Sequence, residues 1–499
     1  MSNVITRLRD ALATVGAAGS KDAAGPIYHR LVSCLRESVE DGSVLIGTRL
    51  PSERQMADAL SISRTTVQNA YRTLESQGYI ETRRGSGTFV CARPEWAVNA
   101  ASRQKRNYAR NVSATSNTFL LDLMQAATET HRYSFETGMP DPMLLPTAEF
   151  ESIIADLFSR RSGEWISYSP TQGVPRFRYA LTQSLLTLRG LAHVPSDQVL
   201  VLTGSMQGID LVSRLLLNPG DSVLVENPTF PGAIQIFRSY GAKLVGVPVD
   251  RDGIVIDAME ELLERHRPKL LYLQTALQNP TGATLSRRRR TRLLELVGRY
   301  QVPVLEDDAY GLLQDAPEAR PLKADDPDNL VIYLGTLSKI VSPGLRVGYL
   351  VAEEGIVRDL AQIKQLTDLH TSTISQYLVE GWLSTGDVRG HLQRCRNTYR
   401  ERVNLALRIL QGNGKLRPYV EPTGGFYLFC GLPAPLTSAK LRAHSVHRSV
   451  IFASGDAFTI DGSLAGHLRL CVSSTDLPTI RVGLERMLRL VEELSVSAS

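Results

Sequence analysis

Lys339 is the residue whose position in the sequence most clearly suggests chemistry. It follows the apolar run Val331–Leu334, which is typical of a buried strand. A lysine at a strand end, near cationic and apolar groups, can lose its proton and form a Schiff base with an aldehyde. Seven residues later, Arg346 could bind a phosphate with two hydrogen bonds, and Thr336 and Ser338 could add hydroxyl groups. A lone lysine is more often a surface residue, so this interpretation depends on the residues that accompany it.

Acidic residues follow a second apolar run, Val302–Leu305, in the sequence Glu-Asp-Asp-Ala-Tyr. A carboxylate beside a pyridine nitrogen keeps that nitrogen protonated, so that the ring withdraws electrons. The Asp-x-x-Tyr spacing favours Asp307 for this role, with Tyr310 as a donor to a ring oxygen, while Asp308 remains an alternative. Asn279, in the turn sequence Asn-Pro-Thr-Gly, could donate to the same oxygen.

A third stretch, Leu-Thr-Gly-Ser-Met-Gln at residues 202–207, joins a predicted strand to a helix. The backbone amides of Gly204, Ser205 and Met206 could therefore bind a phosphate at the helix N-terminus. Phe230 could stack on a ring, although an aromatic residue there is more often part of the core. A lysine, an acid, donors to a ring oxygen and a phosphate cradle are together what pyridoxal 5′-phosphate requires.

From about Tyr133 to the end, short β-rich runs alternate with helical segments. This rhythm predicts an α/β fold, with a largely parallel sheet covered by helices on both faces. The predicted strands are Val199–Leu202, Ser222–Val225, Lys243–Val247, Leu270–Leu273, Val302–Leu305 and Val331–Leu334.

The first ninety residues are predicted to form three helices and a hairpin. The first helix has apolar residues at every fourth position from Ile27 and ends near Gly42. The second runs from Glu53 to about Leu60, after a capping box of Ser52 and Gln55. Ser63 caps the third, whose buried stripe comprises Val67, Ala70, Tyr71 and Leu74.

Two short strands, Tyr79–Arg83 and Thr88–Val90, follow around a glycine hairpin. Two helices across a tight turn and such a hairpin are the parts of an α+β winged helix-turn-helix. The third helix leaves Arg64, Thr65 and Gln68 outward near the end that would enter a major groove. Arginines 83 and 84 flank the hairpin, where its glycines permit close approach to a phosphate backbone.

The charge of the chain is concentrated in this region. Residues 1–110 contain 16 lysines and arginines against 10 aspartates and glutamates, a balance of +6, whereas the remainder, with 40 against 41, stands at −1. A basic small domain beside a neutral large one indicates that the first meets a polyanion, although a solvated charged face would give the same balance.

Composition excludes several other classes of protein. With 43% hydrophobic and 21% charged residues, the chain has the composition of a soluble globular protein. No apolar run reaches membrane-spanning length, and the N-terminus lacks a signal-peptide pattern. The five cysteines are scattered, which predicts reduced thiols in a cytoplasmic protein and neither a disulfide frame nor a metal site.

Residues 26–90 resemble the winged helix of GntR-type bacterial repressors. The matching motifs are Gly-Thr-Arg-Leu-Pro-Ser-Glu-Arg at 47–54, Ser-Arg-Thr-Thr-Val at 63–67 and Gly-Ser-Gly-Thr-Phe at 85–89. The same helical core could instead form a protein-interaction module. The resemblance implies that the following residues contact DNA: Arg54, Arg64, Thr65, Thr66 and Gly87.

Residues 133–495 resemble the class I aminotransferases of fold type I, which have a large domain and a small C-terminal subdomain. Further motifs carry this resemblance: Gly-Met-Pro-Asp-Pro at 138–142, Gly-Gly-Phe-Tyr at 424–427, and Leu-Arg-Leu-Cys-Val-Ser around Arg469. It implies that Arg469 binds the α-carboxylate of an amino acid, and that Tyr168 reaches the cofactor phosphate of the partner subunit.

The two modules together resemble the MocR (GabR-like) subfamily of bacterial regulators. The predicted plan is an arm at 1–25, a winged helix-turn-helix at 26–92, a linker at 93–132 and an aminotransferase-like domain at 133–495. The resemblance implies a head-to-tail homodimer that binds double-stranded DNA and controls genes of amino acid, amine or vitamin B6 metabolism. An amino-group effector would displace Lys339 from the cofactor. A genuine aminotransferase, and a repressor that senses pyridoxal phosphate itself, are the alternatives.

Overall fold

The computed structural model describes residues 47–76, 79–83, 87–90, 133–159, 163–316 and 319–496, together with isolated positions between 28 and 44. The chain divides into two compact units, residues 1–113 and 114–499. The predicted arm and linker, and Arg84 in the hairpin turn, lie outside the described residues. Within the described part of the chain, no helix combines the length and apolar character needed to cross a membrane.

The first unit contains helices α1 (Glu53–Leu60) and α2 (Arg64–Ser76), followed by the antiparallel strands β1 (Ile80–Arg83) and β2 (Gly87–Val90). The predicted capping box is confirmed, because the Gln55 amide donates to Ser52 Oγ (3.3 Å) and the Ser52 amide donates to Gln55 Oε1 (3.0 Å). The predicted stripe of α2 is buried and packs with residues from before α1. The core of this unit includes Leu31, Leu35, Met56, Val67, Ala70, Tyr71, Leu74 and Val90.

The second unit is built on an eight-stranded sheet in the order β4-β11-β10-β9-β8-β5-β6-β7. The strands are β4 (Val199–Leu202), β5 (Ser222–Asn227), β6 (Lys243–Asp250), β7 (Gly253–Ile254), β8 (Leu270–Leu273), β9 (Val304–Asp308), β10 (Val331–Thr336) and β11 (Gly348–Val351). The run from β10 through β9, β8 and β5 to β6 is parallel, as predicted. Strand β11, which the sequence did not predict, is antiparallel to both of its neighbours.

Helices cover both faces of this sheet, because successive strand residues point to opposite sides. Thus Leu200 and Leu202 of β4 join one apolar cluster, and Val199 and Val201 join another. The helices are α3 (Thr147–Ser159), α4 (Pro175–Leu181), α5 (Ser205–Leu216), α6 (Pro231–Ser239), α7 (Ile256–His266), α8 (Arg287–Tyr300), α9 (Glu354–Asp368) and α10 (Thr373–Thr385).

A second sheet, in the order β12-β13-β15-β14-β3, forms the smaller subdomain. Its strands are β3 (Tyr133–Phe135), β12 (Arg417–Pro418), β13 (Tyr427–Gly431), β14 (Val450–Ser454) and β15 (His467–Cys471), and it packs with α11 (Val388–Asn413), α12 (Ser438–Ser445) and α13 (Leu477–Val496). Strand β3 pairs in parallel with β14, more than 300 residues later in the chain. The segment after β3 therefore passes from the small subdomain to the large sheet, where it meets Lys339.

Candidate cofactor, effector and DNA sites

Lys339 lies just beyond β10, and its Nζ donates a hydrogen bond of 2.7 Å to the backbone oxygen of Gly138. The ammonium group is 6.0 Å from the ring centre of Tyr310 and 5.9 Å from that of Phe426. Burial lowers the pKa of Lys339 to about 8. A larger fraction of the amine is therefore neutral near pH 7 than for an exposed lysine, and a neutral amine is the form that attacks an aldehyde.

Asp307 has one engaged and one free carboxylate oxygen. Tyr272 donates to Oδ2 over 2.7 Å, whereas Oδ1 is buried and has no hydrogen-bond partner among the residues that the structure describes. Burial raises the pKa of Asp307 to about 6. A buried acceptor without a donor is costly, so a protonated ring nitrogen placed against Oδ1 would satisfy an existing need of the fold.

Asp308, the alternative acid, is fully engaged elsewhere. Its Oδ2 accepts from Arg189 and from Tyr333, each over 2.7 Å, and its Oδ1 accepts from the Gly311 amide over 3.0 Å. These contacts tie the segment after α4, which carries Arg189, and the turn at Gly311 to the sheet. The geometry therefore favours Asp307 over Asp308 as the partner of a ring nitrogen.

The strand that carries these acids extends further than predicted. The apolar run ends at Leu305, but β9 runs from Val304 to Asp308 and includes all three acids. The expectation that the acids follow the strand was wrong. Buried acids can remain in a strand when their oxygens have partners, and Glu306 accepts from the Thr275 hydroxyl (2.6 Å) and from the amides of residues 322 and 323.

Tyr310 and Asn279, the predicted donors to the ring oxygen, both reach this pocket. The Tyr310 hydroxyl lies 2.7 Å from the hydroxyl of Tyr427. Asn279 accepts from Arg469 Nη1 over 2.9 Å, and its backbone amide donates to Gln274 Oε1 over 2.7 Å. These two contacts hold Asn279 between Arg469 and Gln274.

The predicted phosphate cradle also comes together. Gly204 has a φ of +95° and precedes the first turn of α5, which begins with Ser205 and Met206. A Cβ on Gly204 would lie 2.5 Å from Arg346 Nη2, so the guanidinium packs directly on this backbone. The hydrogen bonds of the Arg346 side chain go to backbone carbonyl oxygens, at 3.4 and 3.5 Å. Helix amides and a guanidinium without a carboxylate partner among the described residues have the chemistry to bind a phosphate.

The remaining predicted contacts differ in position. Thr336 ends β10 beside β11, and both Thr336 and Ser338 are buried, with the Ser338 amide donating to Thr336 Oγ1 over 3.2 Å. Phe230 precedes α6, and a Cβ on Gly232 would lie within 2.5 Å of its ring and 2.8 Å of Met206 Sδ, so these two side chains converge.

Tyr168 is the predicted cofactor residue that the structure does not bring to this pocket. Its side chain is 87% exposed, and its ring lies edge-on to His370 with 5.7 Å between ring centres.

Arg469 is buried between two aromatic rings. Its guanidinium carbon lies 4.3 Å from the ring centre of Tyr427 and 4.8 Å from that of Phe458. Nη2 donates to the backbone oxygen of Glu136 over 2.5 Å, while Nε is buried and has no partner in the described part of the chain. None of the hydrogen bonds recorded for this side chain goes to a carboxylate of the described residues. A buried cation of this kind is stabilised by an anionic ligand.

The predicted DNA contacts lie together in the first unit. Arg64 and Thr65 begin α2 and are exposed, as is Arg54 on α1; the Arg64 side chain is 72% exposed and lies 3.4 Å from Glu53. Thr66 is half-buried, and its hydroxyl lies 2.7 Å from Ser63 Oγ and so contributes to the start of the helix. Gly87, in the wing, has a φ of +109°, which favours glycine.

Comparison with known proteins agrees with this two-part plan. Residues 27–90 match the bacterial regulatory proteins of the gntR family, and residues 144–487 match the aminotransferases of class I and II. The probable rhizopine catabolism regulatory protein MocR of Rhizobium meliloti is 30% identical over 383 residues, which cover 77% of this chain and 76% of that protein. The chain belongs to the MocR-type GntR regulators.

Further relatives of this MocR-type regulator cover either its whole length or its second unit. The uncharacterized HTH-type transcriptional regulator YisV of Bacillus subtilis is 29% identical over 479 residues, covering 95% of this chain and 97% of that protein. A crystal structure of LysN, an alpha-aminoadipate aminotransferase from Thermus thermophilus complexed with N-(5′-phosphopyridoxyl)-L-leucine, has a TM-score of 0.72 and 32% identity. It covers 79% of this chain and 99% of its own.

Several residues of this MocR-type regulator were missed from the sequence. Tyr272 bonds directly to Asp307 but does not stand next to a charged residue in the chain. Gly138 and Tyr427 were noted as parts of motifs, but Gly138 not as a contact of Lys339, and Tyr427 not as a contact of Arg469 and Tyr310. The predicted sheet offered a signal for Tyr272, which lies on the strand next to β9 and therefore had to approach one of its residues.

Proposed function

We propose that this MocR-type regulator binds pyridoxal 5′-phosphate at Lys339, binds operator DNA through α2, and responds to an effector that carries both an amine and a carboxylate. One observation carries the proposal: the buried Arg469 guanidinium shares a pocket with Lys339 and with Asp307 Oδ1, and among the described residues neither the guanidinium has a carboxylate partner nor Oδ1 a hydrogen-bond donor. The effector is thus of the amino acid class.

Different residues of the pocket would bind different parts of the cofactor. When bound, the cofactor supplies an aldehyde carbon that a primary amine can occupy. Asp307 would hold the proton of the ring nitrogen, and Tyr310 and Asn279 would donate to the 3-oxygen. The ring would pack on Phe230. The phosphate would be bound by Arg346, by the hydroxyls of Thr336 and Ser338, and by the amides of Gly204, Ser205 and Met206.

Effector binding follows from the competition between two amines. The effector carboxylate would bind Arg469, which would direct the effector amine towards the aldehyde carbon that the cofactor supplies and that Lys339 would otherwise occupy. The displaced lysine has an acceptor ready, since Gly138 O lies 2.7 Å from Nζ. Displacement shifts the protein between two states only as far as the effector binds one of them more tightly.

An exposed apolar surface supports a homodimer. Ile166 and Tyr168 are 70% and 87% exposed, and Thr373 bonds to the intervening Ser167 backbone oxygen over 3.1 Å, which joins this strip to the start of α10. Large exposed apolar patches mark interaction surfaces. A second copy in a head-to-tail arrangement would cover this surface and bring Tyr168 to the partner's phosphate site. Further exposed apolar residues are Met143, Leu366, Leu369 and Ile374.

The test is effector-dependent DNA binding. Fluorescence anisotropy of the DNA that flanks the gene is measured with the cofactor-loaded protein, before and after adding each of a panel of amino acids. We expect one class of amino acid to change the affinity, and Lys339→Ala to bind DNA without that response. Unchanged effector dependence in Lys339→Ala contradicts the proposal. A response to added cofactor in the absence of any amine would instead favour the cofactor-sensing repressor.

Arg469→Met provides a second test of the effector class. It removes the carboxylate partner, so amino acids should lose their effect, while simple amines without a carboxylate should still react with the bound cofactor. If Arg469→Met weakens the effect of amino acids and the reaction of simple amines equally, the effector carboxylate is bound elsewhere.

The completeness of the pocket favours one second candidate, a genuine aminotransferase. Lys339, Asp307 and Arg469 supply the groups that amino-group transfer to a 2-oxoacid needs, and Lys339 can carry the proton. Steady-state turnover with an amino acid and an oxoacid, without sequence-specific DNA binding, would support this activity over regulation.

A further inference from the structure

Tyr427, at the start of β13, connects two residues of the pocket that do not bond to each other. Its ring lies 4.3 Å from the guanidinium carbon of Arg469, and its hydroxyl lies 2.7 Å from the hydroxyl of Tyr310. The side chain is buried, with 4% of its surface exposed. One rigid side chain therefore contacts the residue expected to bind the effector carboxylate and a residue expected to bind the cofactor 3-oxygen.

The same hydroxyl also packs against the partner of Lys339. A Cβ on Gly138 would overlap the Tyr427 hydroxyl, so glycine is required there for this approach. Gly138 O accepts the hydrogen bond from Lys339 Nζ. The Tyr427 hydroxyl thus lies next to both the Tyr310 hydroxyl and Gly138, the residue that bonds to Lys339.

The number of protons decides the direction of the Tyr427–Tyr310 hydrogen bond. Burial raises the pKa of Tyr427 to about 12 and that of Tyr310 well above its ordinary value, so each hydroxyl keeps its single proton at neutral pH. When Tyr310 donates that proton to the 3-oxygen, it can only accept from Tyr427. Hydrogen bonds in such a chain polarise one another, and donation by Tyr427 makes Tyr310 a stronger donor.

We propose that Tyr427 is a positioning residue that couples the effector carboxylate to the cofactor: its ring supports the Arg469 guanidinium, and its hydroxyl donates to Tyr310. The proposal rests on the function above, since it takes Arg469 and Tyr310 as the contacts of effector and cofactor. A carboxylate that binds Arg469 and shifts its guanidinium alters the contact with the Tyr427 ring. It therefore also alters the hydrogen bond that Tyr427 donates to Tyr310.

Tyr427→Phe tests the hydroxyl alone, because the ring beneath Arg469 remains. The visible band of the lysine-bound cofactor is titrated with pH in the full-length protein. Weaker donation to the 3-oxygen leaves that oxygen more basic, so the proton it shares with the lysine nitrogen is held more tightly. We expect the pH midpoint of the band to rise by less than about one unit.

Tyr399→Phe is the matched control. Tyr399 is buried in the same apolar cluster, and its ring also contacts Phe426, but its hydroxyl bonds to the Asp141 amide. It should leave the midpoint at the wild-type value. A Tyr427→Phe midpoint equal to those of the wild type and Tyr399→Phe overturns the inference.

Tyr427→Leu tests the ring. Propanoate, a carboxylate without an amine, is titrated against the same visible band. Loss of the stacked ring should weaken propanoate binding about thirtyfold, as expected for a desolvated cation–π contact, whereas Tyr427→Phe should bind it as the wild type does. Equal affinities in Tyr427→Leu and the wild type would contradict the role of the ring.

These outcomes separate the inference from the function on which it rests. A shifted midpoint in a protein that ignores its flanking DNA supports Tyr427 coupling and contradicts the regulator. An unshifted midpoint in a protein whose DNA binding responds to amino acids contradicts Tyr427 coupling alone. A wild-type protein that forms no visible band with the cofactor contradicts both.

Discussion

Tyr272 donates its hydroxyl proton to one oxygen of Asp307, over 2.7 Å, and leaves the other oxygen of that carboxylate buried and unpartnered. The two residues lie on the adjacent parallel strands β8 and β9. The donor orients the carboxylate, and burial keeps water from the second oxygen. A ligand with a protonated ring nitrogen meets an acceptor that is already positioned.

Replacing Asp307 tests this arrangement. Asp307→Asn keeps the shape but removes the charge that holds a ring proton, so we expect cofactor affinity to fall about tenfold or more, as for loss of a charge-assisted hydrogen bond. The measurement is a spectroscopic titration of the apoprotein with pyridoxal 5′-phosphate. Wild-type affinity in this variant would show that the ring nitrogen has another partner.

Asp308→Asn is expected to act on stability instead. Asp308 forms a buried ion pair with Arg189, with 1% and 5% of the two side chains exposed. Loss of the charge leaves the guanidinium buried without its counter-charge, which should cost about 3 kcal/mol of unfolding free energy. Chemical denaturation measures this loss, and cofactor affinity should change little in the folded variant. If Asp308→Asn instead lowered cofactor affinity and Asp307→Asn lowered stability, the roles assigned to the two acids would have to be exchanged.

Cofactor loading should depend on pH through Lys339. Its pKa is about 8, and the neutral amine is the nucleophile, so the loading rate should rise with pH up to that value and then level off. Each unit below it reduces the neutral fraction about tenfold. Stopped-flow absorbance of the apoprotein between pH 6 and 9 measures the profile. A rate independent of pH would mean that the amine is not limiting.

Arg64 should matter for DNA affinity more than Arg72, the other arginine of its helix. It lies at the exposed start of α2, where a guanidinium can bind a base edge, and Arg64→Ala should weaken operator binding about tenfold or more. Arg72→Ala, an exposed arginine further along α2, removes the same charge and serves as the control. If the two variants lost equal operator affinity, and low salt restored it in both, the two arginines would act through their charge alone.

Local pattern was sufficient for the elements that begin or end at a distinctive residue. The capping box at Ser52 and Gln55 was predicted correctly, and so was the strand Val199–Leu202, because both depend on neighbours a few residues apart. Strand β11 was not predicted, since its four residues carry no turn signal of their own and become a strand by pairing with β4 and β10.

The sequence by itself determined the chemistry that this protein can perform: a lysine for an aldehyde, acids for a ring nitrogen, arginines for anions, and a basic winged helix. Only the tertiary structure favours Asp307 over Asp308, and brings Gly138 to Lys339 and Tyr427 to Arg469. The physical reason is the distance along the chain. Residue types and short-range spacing are local properties, whereas a hydrogen bond across two sheets depends on how strands far apart in the sequence pack together.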